Sequence, residues 1–137
     1  PNSIVINCVR NPKDVCFSIF KNTFNDSGMD WAYDQNDIAT YYNIYSEMIK
    51  FWNKIIPNFI VNLDYDLLIT NPESEIKNLI NNCELNWDDN CLNHHKNKNI
   101  INTTSNVQVR KKIYTSSKNS YLNYESHLSK MFDILKF

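Results

Sequence analysis

The segment SIVINCVRNPKDVCFSIF, residues 3–20, constrains the fold more than any other stretch. Ile4, Val5, Ile6 and Val9 are β-branched and fall in a short run, so residues 3–9 read as a buried strand. The strand ends on Arg10. Asn-Pro-Lys-Asp then punctuates, and Pro12 suits the first turn of a helix, where its missing N–H costs nothing. Asp14 in that turn favours the helix dipole. Val15, Phe17, Ile19 and Phe20 carry an apolar surface to about Phe24. A strand handing its last residue to a helix start is a unit of an α/β fold.

The rest of the chain extends that pattern. NDSGMDWAYDQND is a polar loop that holds Gly28, the single glycine of the 137 residues. A long helix is predicted from about Asn36 to Ile56. Ile38, Tyr41, Tyr42, Tyr45, Met48, Ile49 and Trp52 recur on one face, and Pro57 stops it. A second strand runs from Phe59 to Leu63 into a loop at Asp64–Asp66. NPESEIKNLINNCEL is a helix, with Asn71 as N-cap, Pro72 at the first position, and Ile76, Leu79, Ile80 and Cys83 inward. NWDDNCLNHH is a short helix. Residues 97–120 are polar and irregular. YLNYESHLSKMFDILKF closes the chain as a helix, with Leu122, Leu128, Met131 and Leu135 inward. The spacing suits parallel strands joined by helical crossovers.

Composition narrows the function. Hydrophobic residues make up 42%, enough for a core, and the net charge of −1 argues against a coat for nucleic acid or an anionic membrane. One glycine excludes a glycine-rich phosphate loop within these residues. None of the four cysteines forms C-x-x-C, and no stretch reaches the length of a membrane span or looks like a signal peptide. A reduced, cytoplasmic setting is the default expectation. The sequence opens at Pro1 and enters a strand at once, so residues 1–137 are expected to be the C-terminal part of a longer chain.

In open α/β sheets, ligands bind beyond the carboxyl ends of the strands. Arg10 stands at such an end, beside backbone N–H groups of a helix start. Its planar fork of donors suits phosphate or sulfate, and Ser18, two turns into the helix, adds a hydroxyl. Many strands end in a charge and many helices hold a serine, so these residues alone leave the bland reading open. The polar segment TTSNVQV followed by Arg110, Lys111 and Lys112 fits either a solvated loop or one that folds over a polyanionic nucleotide.

Three blocks in order, VRNPKDVCFSIF, then LDYDLL with NPESEIKNLINNCELNWDDNCLNHH, then TTSNVQVRKKIYTSS, resemble the C-terminal half of a sulfotransferase. The similarity is strongest to bacterial proteins that join tetratricopeptide repeats to a sulfotransferase domain, and to tyrosylprotein sulfotransferases. The resemblance implies a P-loop-kinase-like parallel sheet flanked by helices, here as a partial domain. It implies transfer of a sulfuryl group from 3′-phosphoadenosine-5′-phosphosulfate (PAPS) to a hydroxyl or amine, without a metal. Arg10 and Ser18 match the family's 3′-phosphate readers, and Tyr65 matches a tyrosine near the donor nucleotide. Ser105, Gln108, Arg110, Lys111 and Tyr114 match the late loop over the nucleotide. The family's donor-sulfate loop and catalytic base are expected before Pro1, so no catalytic residue is assigned within the chain and no turnover is expected from it alone. Upstream tetratricopeptide repeats are a further implication.

The sequence departs from the family's pattern in places. Asp66 stands for the usual Glu, and Asn22 for a basic residue that would give a third phosphate contact. Lys112 replaces a common proline, Tyr121 a usual tryptophan and Ser120 a basic residue, which Lys118 could supply. Two rival readings stay open: a nucleotide-kinase fragment with Arg10 as a phosphate arginine, and a non-catalytic α/β interaction module. Cys83, Cys91, His94 and His95 have zinc chemistry but the wrong spacing for a knuckle. Asp64 and Asp66 are better explained as turn caps than as an acid–base pair. Trp31 and Tyr33 are the candidates for contact with an acceptor, and the acceptor itself is not legible.

Overall fold

A computed structural model of the chain describes residues 3–24, 27–96 and 118–136. Strand β1 spans Val5–Val9 and helix α1 Pro12–Phe20. A 3₁₀ turn at Asp30–Tyr33 leads into the long helix α2, Gln35–Ile55. Strand β2 is Ile60–Asp64, followed by α3, Tyr65–Thr70, and α4, Pro72–Asn82. A kinked 3₁₀ segment covers Asp89–Lys96, another covers Ser120–His127, and α5 is Ser129–Ile134. Among the described residues β1 and β2 pair in a two-stranded parallel sheet, so the chain is a mixed α/β structure.

The chain divides into two compact units. The first contains Arg10–Ile60 and Lys118–Phe137, hence α1, α2 and α5. Its core is Cys16, Phe17, Ile38, Ala39, Leu128, Met131, Phe132 and Leu135, all buried. Side chains three and four residues apart on α2 reach one face, so Ile38, Ala39, Tyr42 and Asn43 meet α1 and α5 together. Asn43 is polar but satisfied: its amide donates to the Ile134 carbonyl at 2.8 Å and its oxygen accepts from the Lys136 N–H at 2.9 Å. Asp34 caps α2 by accepting from Asn36 and Asp37 N–H at 2.7 and 3.1 Å.

The second unit holds β1 and the chain from Val61 onward, hence most of β2 with α3 and α4. Asn7 and Asn62 bond across the two strands at 2.9 Å. Asp64 caps α3 by accepting from Leu67 N–H at 3.0 Å. Buried apolar side chains are few here: Ile69 is buried, whereas no residue of α4 is.

Several expectations change. Val5 and Ile6 are 43% and 44% exposed, so of the strand expected to be buried only Asn7 is buried among the described residues. Residues 64–66 are the cap and first turn of α3, not a loop, because the Asp64 carboxylate satisfies a helical N–H. On α2 the apolar positions split: Ile38 is buried, whereas Tyr41, Met48 and Trp52 are exposed. Asn71 stands at the N-cap of α4 but its side chain makes no capping bond. The closing helix is broken at Leu128 into a 3₁₀ segment and α5, which turns Leu122 outward at 53% exposure.

Candidate anion-binding site

Arg10 follows the last residue of β1 directly, and two residues later α1 begins. The helix start forms because Asn11 is its N-cap, accepting from Lys13 N–H at 2.9 Å, while Pro12 occupies the first position. This local arrangement occupies donors that would otherwise face an anion at the helix start. Pro12 carries no N–H, the Lys13 N–H goes to the Asn11 side chain, and the Val15 N–H goes to the Asn11 carbonyl at 3.0 Å. The helix start therefore offers an anion fewer free backbone donors than the sequence suggests.

The Arg10 side chain is 16% exposed. Its Nη2 lies 3.4 Å from Oδ2 of Asp14, one helical turn on, whose side chain is fully buried. The same Oδ2 accepts the backbone N–H of Asn119 at 2.9 Å. Next to it, Lys13 Nζ donates to Glu125 Oε1 at 3.0 Å and lies 4.8 Å from the Phe132 ring centroid and 5.4 Å from that of Tyr121. Consecutive residues of the Asn-Pro-Lys-Asp segment thus hold the chain at 119–125 against the start of α1. In the sequence alone Asp14 is only an acid favouring the helix dipole. The four-residue spacing from Arg10 was the available signal.

Ser18 is half-buried on α1, in the same unit as Arg10. Asn22, the departure from the family's basic residue, donates from its side chain to the Ser18 carbonyl at 2.7 Å and so closes the end of α1. Tyr65 opens α3 in the other unit. Ser105, Gln108, Arg110, Lys111 and Tyr114 lie outside the described residues, as does Lys112.

Trp31 and Tyr33, the acceptor candidates, have internal contacts. Trp31 stacks on Tyr41 with centroids 4.1 Å apart, and the Tyr33 hydroxyl donates to the Phe24 carbonyl at 2.7 Å. Cys83 and Cys91 are half-buried free thiols, and among the described residues no three metal-binding side chains converge. No helix among those residues is long and apolar enough to cross a membrane. Two groups in the core around α1 and α2 titrate away from their ordinary values. Burial pushes the Cys16 thiol up from 9.0 to about 12. Burial, then the neighbouring Tyr45 and Cys16, push the Tyr42 phenol up.

Comparison with known proteins places the sequence in a family. The model of the sulfotransferase family covers residues 1–89, which include β1, Arg10, α1, β2 and α4. An uncharacterized protein of Aquifex aeolicus (strain VF5) is 36% identical over 138 residues, spanning 99% of this chain and 18% of that protein. The chain belongs to the sulfotransferase family.

Proposed function

We propose that the chain is the nucleotide-reading part of a PAPS-dependent sulfotransferase that sulfates a hydroxyl or amine. Family membership supports sulfuryl transfer as the reaction class. In this reading residues 1–137 form the C-terminal portion of one P-loop-kinase-like domain. Arg10 and Ser18 bind the donor's 3′-phosphate, and Tyr65 lies by the nucleotide. Ser105, Gln108, Arg110, Lys111 and Tyr114 belong to the loop over it.

The observation that carries the reading is Arg10 itself. It stands directly beyond the carboxyl end of β1, largely shielded from water and held by a buried carboxylate. A shielded guanidinium with a fixed orientation can form paired hydrogen bonds to a phosphate at a smaller entropic cost than a surface lysine.

The reaction is a displacement at sulfur. The acceptor oxygen or nitrogen attacks sulfur, the bond from sulfur to the bridging oxygen breaks, 3′-phosphoadenosine-5′-phosphate leaves with the electron pair, and the acceptor's proton passes to a base or to solvent. Positioning of the donor and stabilisation of charge supply most of the rate, as in phosphoryl transfer. Arg10 contributes by fixing the end of the nucleotide remote from the sulfur. No residue of 1–137 is assigned to the transferring group.

The test is nucleotide binding and sulfation by the full-length protein. Wild type should prefer adenosine 3′,5′-bisphosphate to ATP and ADP. Arg10→Ala should lose about 2–5 kcal/mol of that affinity, roughly 30-fold or more. Preference for ATP, or bisphosphate affinity unchanged in the variant, would refute the assignment.

A further inference from the structure

The buried carboxylate of Asp14 has a position that general helix stability does not explain. A first-turn acid favours the helix dipole from the surface as well, so that role alone requires no burial. This one is fully buried and uses a single oxygen, Oδ2, for two partners. One is Arg10 Nη2 at 3.4 Å, and the other is the N–H of Asn119, 105 residues away in sequence. Its second oxygen has no hydrogen-bond partner among the described residues. Asn119 is itself in the left-handed region, φ 57°, where the chain enters its 3₁₀ segment. A buried charge held this way is costly unless its geometry serves something.

We propose that Asp14 is the positioning residue of the anion site: it sets the direction of the Arg10 fork and registers it against the chain at Asn119. This rests on the proposed reading of Arg10 as a 3′-phosphate reader. Two opposing effects follow from a carboxylate there. Its charge repels any anion at the site, while its hold on the guanidinium aims the fork. If aiming dominates, removing the charge weakens recognition of the 3′-phosphate. If repulsion dominates, removing it strengthens binding. The two differ in sign, and a merely structural role moves neither. Asn at position 14 keeps an oxygen for the Asn119 N–H and loses the charge that orients Arg10.

The experiment measures calorimetric affinities of full-length wild type and Asp14→Asn for adenosine 3′,5′-bisphosphate and adenosine 5′-phosphate. The ratio of the two affinities reads recognition of the 3′-phosphate, and a thermal melt checks the fold. The expected result is a ratio at least 10-fold lower in Asp14→Asn. A ratio unchanged or raised, in a variant that melts like wild type, overturns the inference alone. A wild type with no preference for the bisphosphate overturns the proposed function and this inference with it. If Asp14→Asn does not fold, Asp14→Glu carries the test. It retains the charge but displaces the fork by one methylene, so the ratio should again fall, and a wild-type ratio there overturns the inference.

Discussion

The two units of this chain are built to different standards. Among the described residues, all the buried apolar side chains except Ile69 belong to the unit with Arg10, α1, α2 and α5. The unit with β1, α3 and α4 carries half-buried stripes and exposed strand residues. A close-packed core holds its side chains in fixed rotamers, whereas a half-buried face specifies position more loosely. The arginine read as the anion site is therefore mounted on the well-packed side. Tyr65 stands on the thinly packed one.

Substitutions can break that contrast. The largest effect is expected at Ile38, 1% exposed in the α1–α2–α5 core. Ile38→Ala should cost about 2–5 kcal/mol, while Leu79→Ala on half-buried α4 should cost less than about 1.5 kcal/mol. Chemical denaturation of the two variants measures both, and equal losses would erase the distinction.

A smaller effect appears only in alkali. The Cys16 thiol ionises near 9.0 when unfolded and at about 12 when folded. Between those values the unfolded state has lost a proton that the folded state keeps, so stability falls as pH rises through the window and is untouched below it. The Cys16 contribution should reach roughly 1–2 kcal/mol by pH 10. Stability of wild type and Cys16→Ala across pH 8–11, read as a difference in slope, checks it.

The smallest effect concerns helix caps. Asp34 makes two capping bonds to α2 and Asn71 makes none to α4. Asp34→Ala should lose about 1 kcal/mol and Asn71→Ala no more than a few tenths. Denaturant midpoints of the two variants check this, and would shift equally if the caps were equivalent.

Local signals carried far along this sequence. Pro12 and the apolar runs placed β1 and α1, and Arg10 fell at the strand tip as expected. The 3.6-residue period put α2 within a residue of its observed ends. Boundaries slipped where a side chain competes with backbone pairing. Asp64 does this, starting a helix earlier than its loop-like composition suggests, whereas the C-terminal helix breaks at Leu128 with no side-chain cap. Exposure slipped more, because periodicity identifies an apolar face without saying what covers it. Tyr41, Met48 and Trp52 share the pattern of Ile38 but not its burial.

By itself the sequence determined the α/β class, the strand-to-helix handover at Arg10, and a resemblance that the family match bears out. These depend on neighbours within a few residues, or on motif order, and both are written along the chain. Only the tertiary structure decided what Asp14 and Asn43 do. Asp14 joins Arg10 to Asn119, and Asn43 ties α2 to the end of α5. Those contacts span 105 and 91 residues of sequence. A polar side chain's choice of distant partner has no local signature, since it is made by packing that brings the two ends of the chain together.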